Sequence, residues 1–280
     1  MGSAQAAIDV NVHLLILSWG PDAPWLHYAL RSIQRFARGF SGVTVVYPMA
    51  DDAIMRPVCE QGGAVAYPHD EPPPPFGHLA QMITKAKADI YCPDATHVMH
   101  FDSDCIFIHE TSPEDYMRGE RPVLVYRRWE DAKDAICWRE PTARCLGWDP
   151  PFETMARMPL MYDARVYPMV REHIRLATGA ASFEAYVMGC KPTFPYGWCE
   201  FNAIGGFLLE RAPGLCAPVL VGPRPWEGLP DRVRQLWSHD DLTPEMSAWL
   251  EETIEGGGEK RPPPAAGPMT EQRRKLLGLA

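Results

Sequence analysis

Over its first 110 residues the chain alternates short apolar runs with stretches of helical periodicity, and few architectures accept that order. "VHLLILSW" is a continuous apolar run closed by the turn residues "GPDAP", which reads as a strand. "PWLHYALRSIQRFARGF" follows, with Leu26, Leu30, Ile33 and Phe36 at helical spacing. "GVTVVYP", "GAVAYP" and "THVMHFDSD" read as three more strands. Between them lie two helical segments, "GHLAQMITKAKAD" and a short "DDAIMRPVCEQ" that Pro57 is expected to disturb. Strands alternating with helices imply βαβ units, a largely parallel sheet and right-handed crossovers. In such sheets ligands bind beyond the carboxyl ends of the strands. Those ends fall at Ser18, Trp19 and Asp22 after the first strand, and at Asp102 and Asp104 after the fourth. Two distant pieces of sequence are therefore expected to meet in one crevice.

The alternation breaks down after residue 110. "RPVLVYRRW" and "APVLVG" read as strands, while "ARVYPMVREHIRLATGA", "SFEAYVMG" and "CEFNAIGGFLLERA" read as helices. "GGGEKRPPPAAGP", Gly256 to Pro268, is a linker by composition, and "TEQRRKLLGLA" reads as a short basic helix. A chain of 280 residues is long enough for a single domain with a substantial core. No apolar run approaches the roughly 20 residues that span a bilayer. The first residues lack the basic segment of a signal peptide, and Ala6 stands where a myristoylation signal has Ser or Thr. The eight cysteines form no C-x-x-C pair and several sit inside apolar runs, as expected of reduced, buried thiols in a cytoplasmic protein. The formal charge of −9 gives no global attraction for nucleic acid or anionic membrane, which leaves only a local basic patch to do so.

"HVMHFDSDCIFIHE" concentrates the chemistry. Burying an unpaired carboxylate is expensive, so Asp102 and Asp104 are expected to face a cleft, a cation or a set of donors. Two carboxylates one residue apart suit a divalent cation that takes hard oxygen ligands, with phosphate oxygens completing its sphere. The tripeptide alone also occurs in ordinary turns; its place at the end of a predicted buried strand is what favours the cation.

The element "HVMHFDSDCIFI" resembles the apolar-strand, Asp-x-Asp, apolar-strand element of GT-A fold glycosyltransferases, which use nucleotide-diphosphosugars. The resemblance covers roughly residues 12–240 in order and spacing, with the Asp-x-Asp element as its distinctive part. It implies an α/β, Rossmann-like GT-A fold: a mostly parallel central sheet with flanking helices and a helical C-terminal acceptor region. Residues 1–255 would be one catalytic domain, 12–110 binding the nucleotide-sugar and 111–255 the acceptor, with 256–280 as linker and tail. It implies Mn²⁺ or Mg²⁺ on Asp104, with Asp102 at the ribose or the metal, and His239 in "RQLWSHDDLTP" as a third ligand; His239 also reads as a surface residue in an acidic turn. Ser18, Trp19 and Asp22 would lie along the nucleoside. Gln81 and Lys85, one helical turn apart, would reach the donor, although a solvated lysine fits the same pattern.

Catalysis requires a further group, and "FPYGWCEFNAIGG" places Glu200 beside Trp198, Phe201 and Asn202 at a helix start. Apolar neighbours would raise the Glu200 pKa toward that of a general base, and a base there implies inversion. Asp163 is the second catalytic candidate and also reads as the cap of the long helix. The donor implied is a UDP-sugar, the acceptor a saccharide or a hydroxymethylated DNA pyrimidine, as for base J-type DNA glucosyltransferases, in bacterial or phage-infected cytosol. Arg127, Arg128, Arg224, Arg232, Arg234 and the tail "RRK" would form the DNA-facing patch, and Trp129 or Trp198 would hold a flipped base. Arg127 to Trp129 equally read as a structural salt-bridge site. The competing readings are a non-catalytic sugar-nucleotide-binding or scaffold domain and an Asp-x-Asp phosphatase, although the latter motif usually follows a first strand.

Overall fold

The computed structural model describes residues 10–70, 77–155, 158–193, 196–222, 230–236 and 242–264. In its first half β1 (Val12–Leu17), α1 (Ala23–Phe36), β2 (Gly42–Pro48), α2 (Asp52–Gln61), β3 (Val65–His69), α3 (Gly77–Lys85), α4 (Ala88–Tyr91) and β4 (His97–His100) follow in order. The second half comprises β5 (Cys105–Phe107), β6 (Met117–Arg118), β7 (Arg121–Arg128), α5 (Arg139–Leu146), β8 (Phe152–Glu153), β9 (Leu160–Asp163), α6 (Val166–Thr178), α7 (Phe183–Met188), α8 (Glu200–Arg211), β10 (Ala217–Leu220), β11 (Val233–Gln235) and α9 (Pro244–Glu255).

The central sheet has the order β3-β2-β1-β4-β9, with the first four strands parallel. The fifth, β9, runs antiparallel to β4, pairing His97 with Asp163 and His100 with Leu160. β1 is buried on both faces, which is why its sequence is apolar without alternation. Leu14 and Ile16 face a core with Leu26, Leu30, Ile33 and Phe36 of α1. Leu15 and Leu17 face a second core built with Leu79 and Met82 of α3, Val170 and Ile174 of α6, and Phe201 and Ile204 of α8. The molecule is thus an α/β protein with helices on both sides of a mostly parallel sheet. A smaller sheet, β10-β7-β6 with β8 on β7, stands beside it.

Several expectations change. Pro57 leaves α2 unbroken; it and Ala53, whose carbonyl loses its helical partner, are both exposed, which leaves that carbonyl open to solvent. The helix expected over 77–89 divides into α3 and α4. "LMYD", expected only as a lead into a helix, is the edge strand β9. Of the expected linker, the described part folds back: Arg261 bonds Glu252 at 3.0 Å, Trp249 Nε1 donates to the Arg261 carbonyl at 2.9 Å, and Glu259 pairs with Arg234 at 2.5 Å. Residues 265–280, including the expected basic helix, lie outside the described residues. Among the described residues no helix is long and apolar enough to cross a membrane.

Candidate functional site

The chain leaves the central sheet just after β4, where Phe101 still donates its backbone N–H to Leu15. Asp102, Ser103 and Asp104 then form a turn, closed by a 3.0 Å bond from the Cys105 N–H to the Asp102 carbonyl. β5 carries the chain away, paired antiparallel with β11, so that Gln235 stands opposite Cys105. Leu236 completes that ribbon by donating its N–H to the Asp104 carbonyl at 2.9 Å. The turn is therefore held on both flanks, by β1 and by a segment 130 residues downstream.

The carboxyl end of β1 meets this turn. Asp22, buried in the 3-10 turn of Gly20–Asp22, accepts a 3.3 Å bond from Ser103 Oγ. Gly20 donates its N–H to Asp51 at the end of β2 at 2.8 Å, and a side chain at Gly20 would press into the Asp51 carboxylate. Ser18 is buried beside them, with its hydroxyl unpartnered among the described residues. Trp19 is half-buried on the same edge.

Two helices close the other side. Lys85, at the C-terminus of α3, places Nζ 3.1 Å from Asp102 Oδ1 and 3.7 Å from Glu200 Oε1, over the Phe201 ring. Gln81, a turn earlier, is half-buried. Burial alone would depress the Lys85 ammonium, but Asp102, Glu200 and Asp104 together hold it above the ordinary lysine value. Glu200 opens α8 as a buried carboxylate; burial raises its pKa, and the nearby Lys85 charge offsets this only in part. His100, fully buried, bonds Tyr167 Oη at 2.8 Å and packs on Phe201; burial, with the Lys85 charge adding, pushes it down to about 3. Gln235 reaches Asp102 Oδ2 at 3.4 Å.

Ser18, Trp19, Asp22, Lys85, Asp102, Asp104 and Glu200 thus fall at one edge of the sheet. Asp163 does not join them. It pairs with His97 at the amino end of β4, the opposite end from Asp102, and is bonded to Arg165 at 2.5 Å. His239 lies outside the described residues, as do Arg224 and the basic tail. Four of the aromatic and arginine candidates for an acceptor, Trp129, Trp198, Arg127 and Arg234, are spent on structure, whereas Arg128 stays exposed with Glu130 3.5 Å away. Trp198 is fully buried, and Trp129 is buried with Nε1 donating to the Pro150 carbonyl at 2.7 Å. Arg127 is enclosed between Glu153 at 2.8 Å and Asp134 at 3.2 Å, and Arg234 between Asp231 and Glu259, each at 2.5 Å.

Residue-level reasoning missed Asp51, His100, Ser103 and Gln235. His100 and Ser103 lay within the motif itself. Gln235 lay four residues before His239, in a segment read for that imidazole and for Arg234.

Among the described residues the arrangement sets the carboxylates of Asp22, Asp102, Asp104 and Glu200 near the ammonium of Lys85. Among the described residues no three His, Cys, Asp or Glu side chains gather closely enough to hold a metal ion by themselves. Asp102 and Asp104 could supply two carboxylates to Mg²⁺ or Mn²⁺ only if phosphate and water supplied the remaining ligands. No protein-family model and no curated protein matches the chain, so the case for its function is carried by the chemistry of this carboxylate edge.

Proposed function

We propose that the chain is a metal-dependent glycosyltransferase that moves a sugar from a UDP-sugar or similar donor to an acceptor hydroxyl. The observation that carries the reading is the convergence of Asp102 and Asp104, just past the carboxyl end of β4 in the central sheet, with Lys85 and buried Glu200. Asp102 and Asp104 would hold the divalent cation, whose charge stabilises a departing diphosphate. Asp22 and Ser103 fix the Asp-x-Asp turn against β1, and Gln235 steadies Asp102. Lys85 offers a cation on the donor side. Glu200, its pKa raised by burial, accepts the proton of the acceptor hydroxyl, a role that calls for inversion at the sugar carbon. The burial of Trp129 and Trp198 and the pairing of Arg127 and Arg234 favour a saccharide over a hydroxymethylated DNA base as acceptor.

Thermal melting with UDP, GDP, CDP and TDP, each with and without Mn²⁺, tests the donor site, because a ligand of the native state raises the melting temperature by mass action. One nucleotide is expected to raise it only with metal, and Asp104→Ala is expected to abolish the rise. No shift with any nucleotide would sink the reading. A shift without sugar transfer or donor hydrolysis would favour a non-catalytic binding domain.

A further inference from the structure

Lys85 stands between the two carboxylates that the proposed site uses for different tasks. Its Nζ is 3.1 Å from Asp102 Oδ1 and 3.7 Å from Glu200 Oε1, with the Phe201 ring centre 5.0 Å away. Only 15% of the side chain is exposed, so water screens these contacts poorly. Asp102 is also a carboxylate that a divalent cation would take. An ammonium and a dication are competing partners for it, and at such separations in a poorly solvated site they repel strongly. Glu200, by contrast, opens α8 and is the second partner of the same ammonium.

We propose that Lys85 is a built-in counter-ion of the cation site, which is shared by Asp102 and Glu200 until a divalent cation binds and is then displaced from Asp102 while remaining with Glu200. The inference rests on the reading of Asp102 and Asp104 as cation ligands. It has a functional consequence. A cation arriving alone must work against the Lys85 charge, whereas one arriving with a diphosphate brings anionic oxygens that offset that charge. Lys85 thereby favours joint binding of metal and nucleotide over binding of metal by itself.

The test is Mn²⁺ titration without nucleotide, by calorimetry, together with melting in chelator and in excess Mn²⁺. The proteins are wild type, Lys85→Met, the double variant Lys85→Met with Glu200→Gln, and Asp104→Asn. Lys85→Met is expected to bind Mn²⁺ about tenfold tighter than wild type, as removal of a nearby like charge requires. It is also expected to melt several degrees lower in chelator and to recover in Mn²⁺. Mn²⁺ binding to Lys85→Met no tighter than to wild type overturns the proposal. If Lys85→Met does not fold in chelator, the double variant, with one buried charge fewer, supplies the same comparison. Wild type binding Mn²⁺ with no gain in either Lys85 variant defeats this inference alone. No binding by any of the four defeats the cation reading itself, and this inference with it.

Discussion

Glu200 shows how one residue can be costly to the fold and useful to the site. It is 4% exposed, and its desolvation outweighs the attraction of Lys85, so its folded-state pKa lies above the ordinary glutamate value. A carboxyl group with a raised folded-state pKa stabilises the protein only while it is protonated. That contribution is fully present below the unfolded value, near 4.5, and is lost as pH rises through the folded one. Glu200→Gln keeps the shape and removes the charge. The variant is expected to melt above wild type at pH 7.5, with the two converging toward pH 4.5. A difference independent of pH would show that the carboxylate is not strained by burial. In the same variant transfer should fall by about a hundredfold or more, the size of a general-base contribution. Gain of stability with loss of rate is the signature expected of a buried group retained for chemistry.

Glu200 reaches this position because α8 is seated tightly on the chain around β8. Asn202 Oδ1 accepts the Thr154 N–H at 2.8 Å, and Thr154 Oγ1 donates to the Phe201 carbonyl at 3.1 Å. Gly205 faces the same threonine, and a Cβ there would collide with the Thr154 side chain, which is fully buried and cannot swing away. Gly205→Ala is therefore expected to cost about 3 kcal/mol in urea unfolding through overpacking. It should also weaken the hold on Glu200 and so lower kcat. An unchanged unfolding midpoint would mean that α8 can shift without penalty. Elements of this kind divide into those that local sequence declares and those it does not. β1 to β4 were legible because each is an apolar run bounded by turn residues, and α1, α6 and α8 because their apolar positions recur at helical spacing. The four-residue β9 was not, since "LMYD" lacks a period and becomes a strand only by pairing with β4. The same limit governs the site. Asp102, Asp104, Lys85 and Glu200 were readable from motif and position. The Gln235 contact depends on β11 pairing with β5 from far along the chain, and no local pattern encodes that pairing. Trp129 and Trp198 were misread for the converse reason: an indole suited to a ligand and one suited to a core look alike until burial is known.

Across the whole molecule, the proposed chemistry lies at one end of the sheet while buried imidazoles lie at both. The carboxylates of the proposed site lie at the carboxyl edge. His13 and His97 lie near the amino ends of β1 and β4, and burial holds both imidazoles below the ordinary histidine value. His100, at the opposite end of β4, is lowered to about 3 for the same reason. A histidine with a depressed folded-state pKa contributes stability above its unfolded value, 6.5, and that contribution is lost as pH falls from there toward the folded value. The native protein therefore resists protonation that its unfolded chain accepts, and the urea midpoint should fall between pH 7 and pH 5.5. Glu200, with its pKa raised by burial, works in the opposite sense. His97→Gln isolates the amino edge, because the His97 ring bonds Thr96 and the Glu120 backbone and feels Asp163 and Arg165, all at that edge and away from Asp102. The variant should recover up to about 1.4 kcal/mol of the lost stability at pH 5.5, the most that one neutral imidazole contributes one pH unit below its unfolded value. The pH dependence of nucleotide and metal binding should stay as in wild type. Equal midpoint losses in wild type and variant would show that His97 titrates alike in the folded and unfolded chain. A change in nucleotide binding would instead mean that the two edges are coupled through β4, contrary to the separation that the sheet provides.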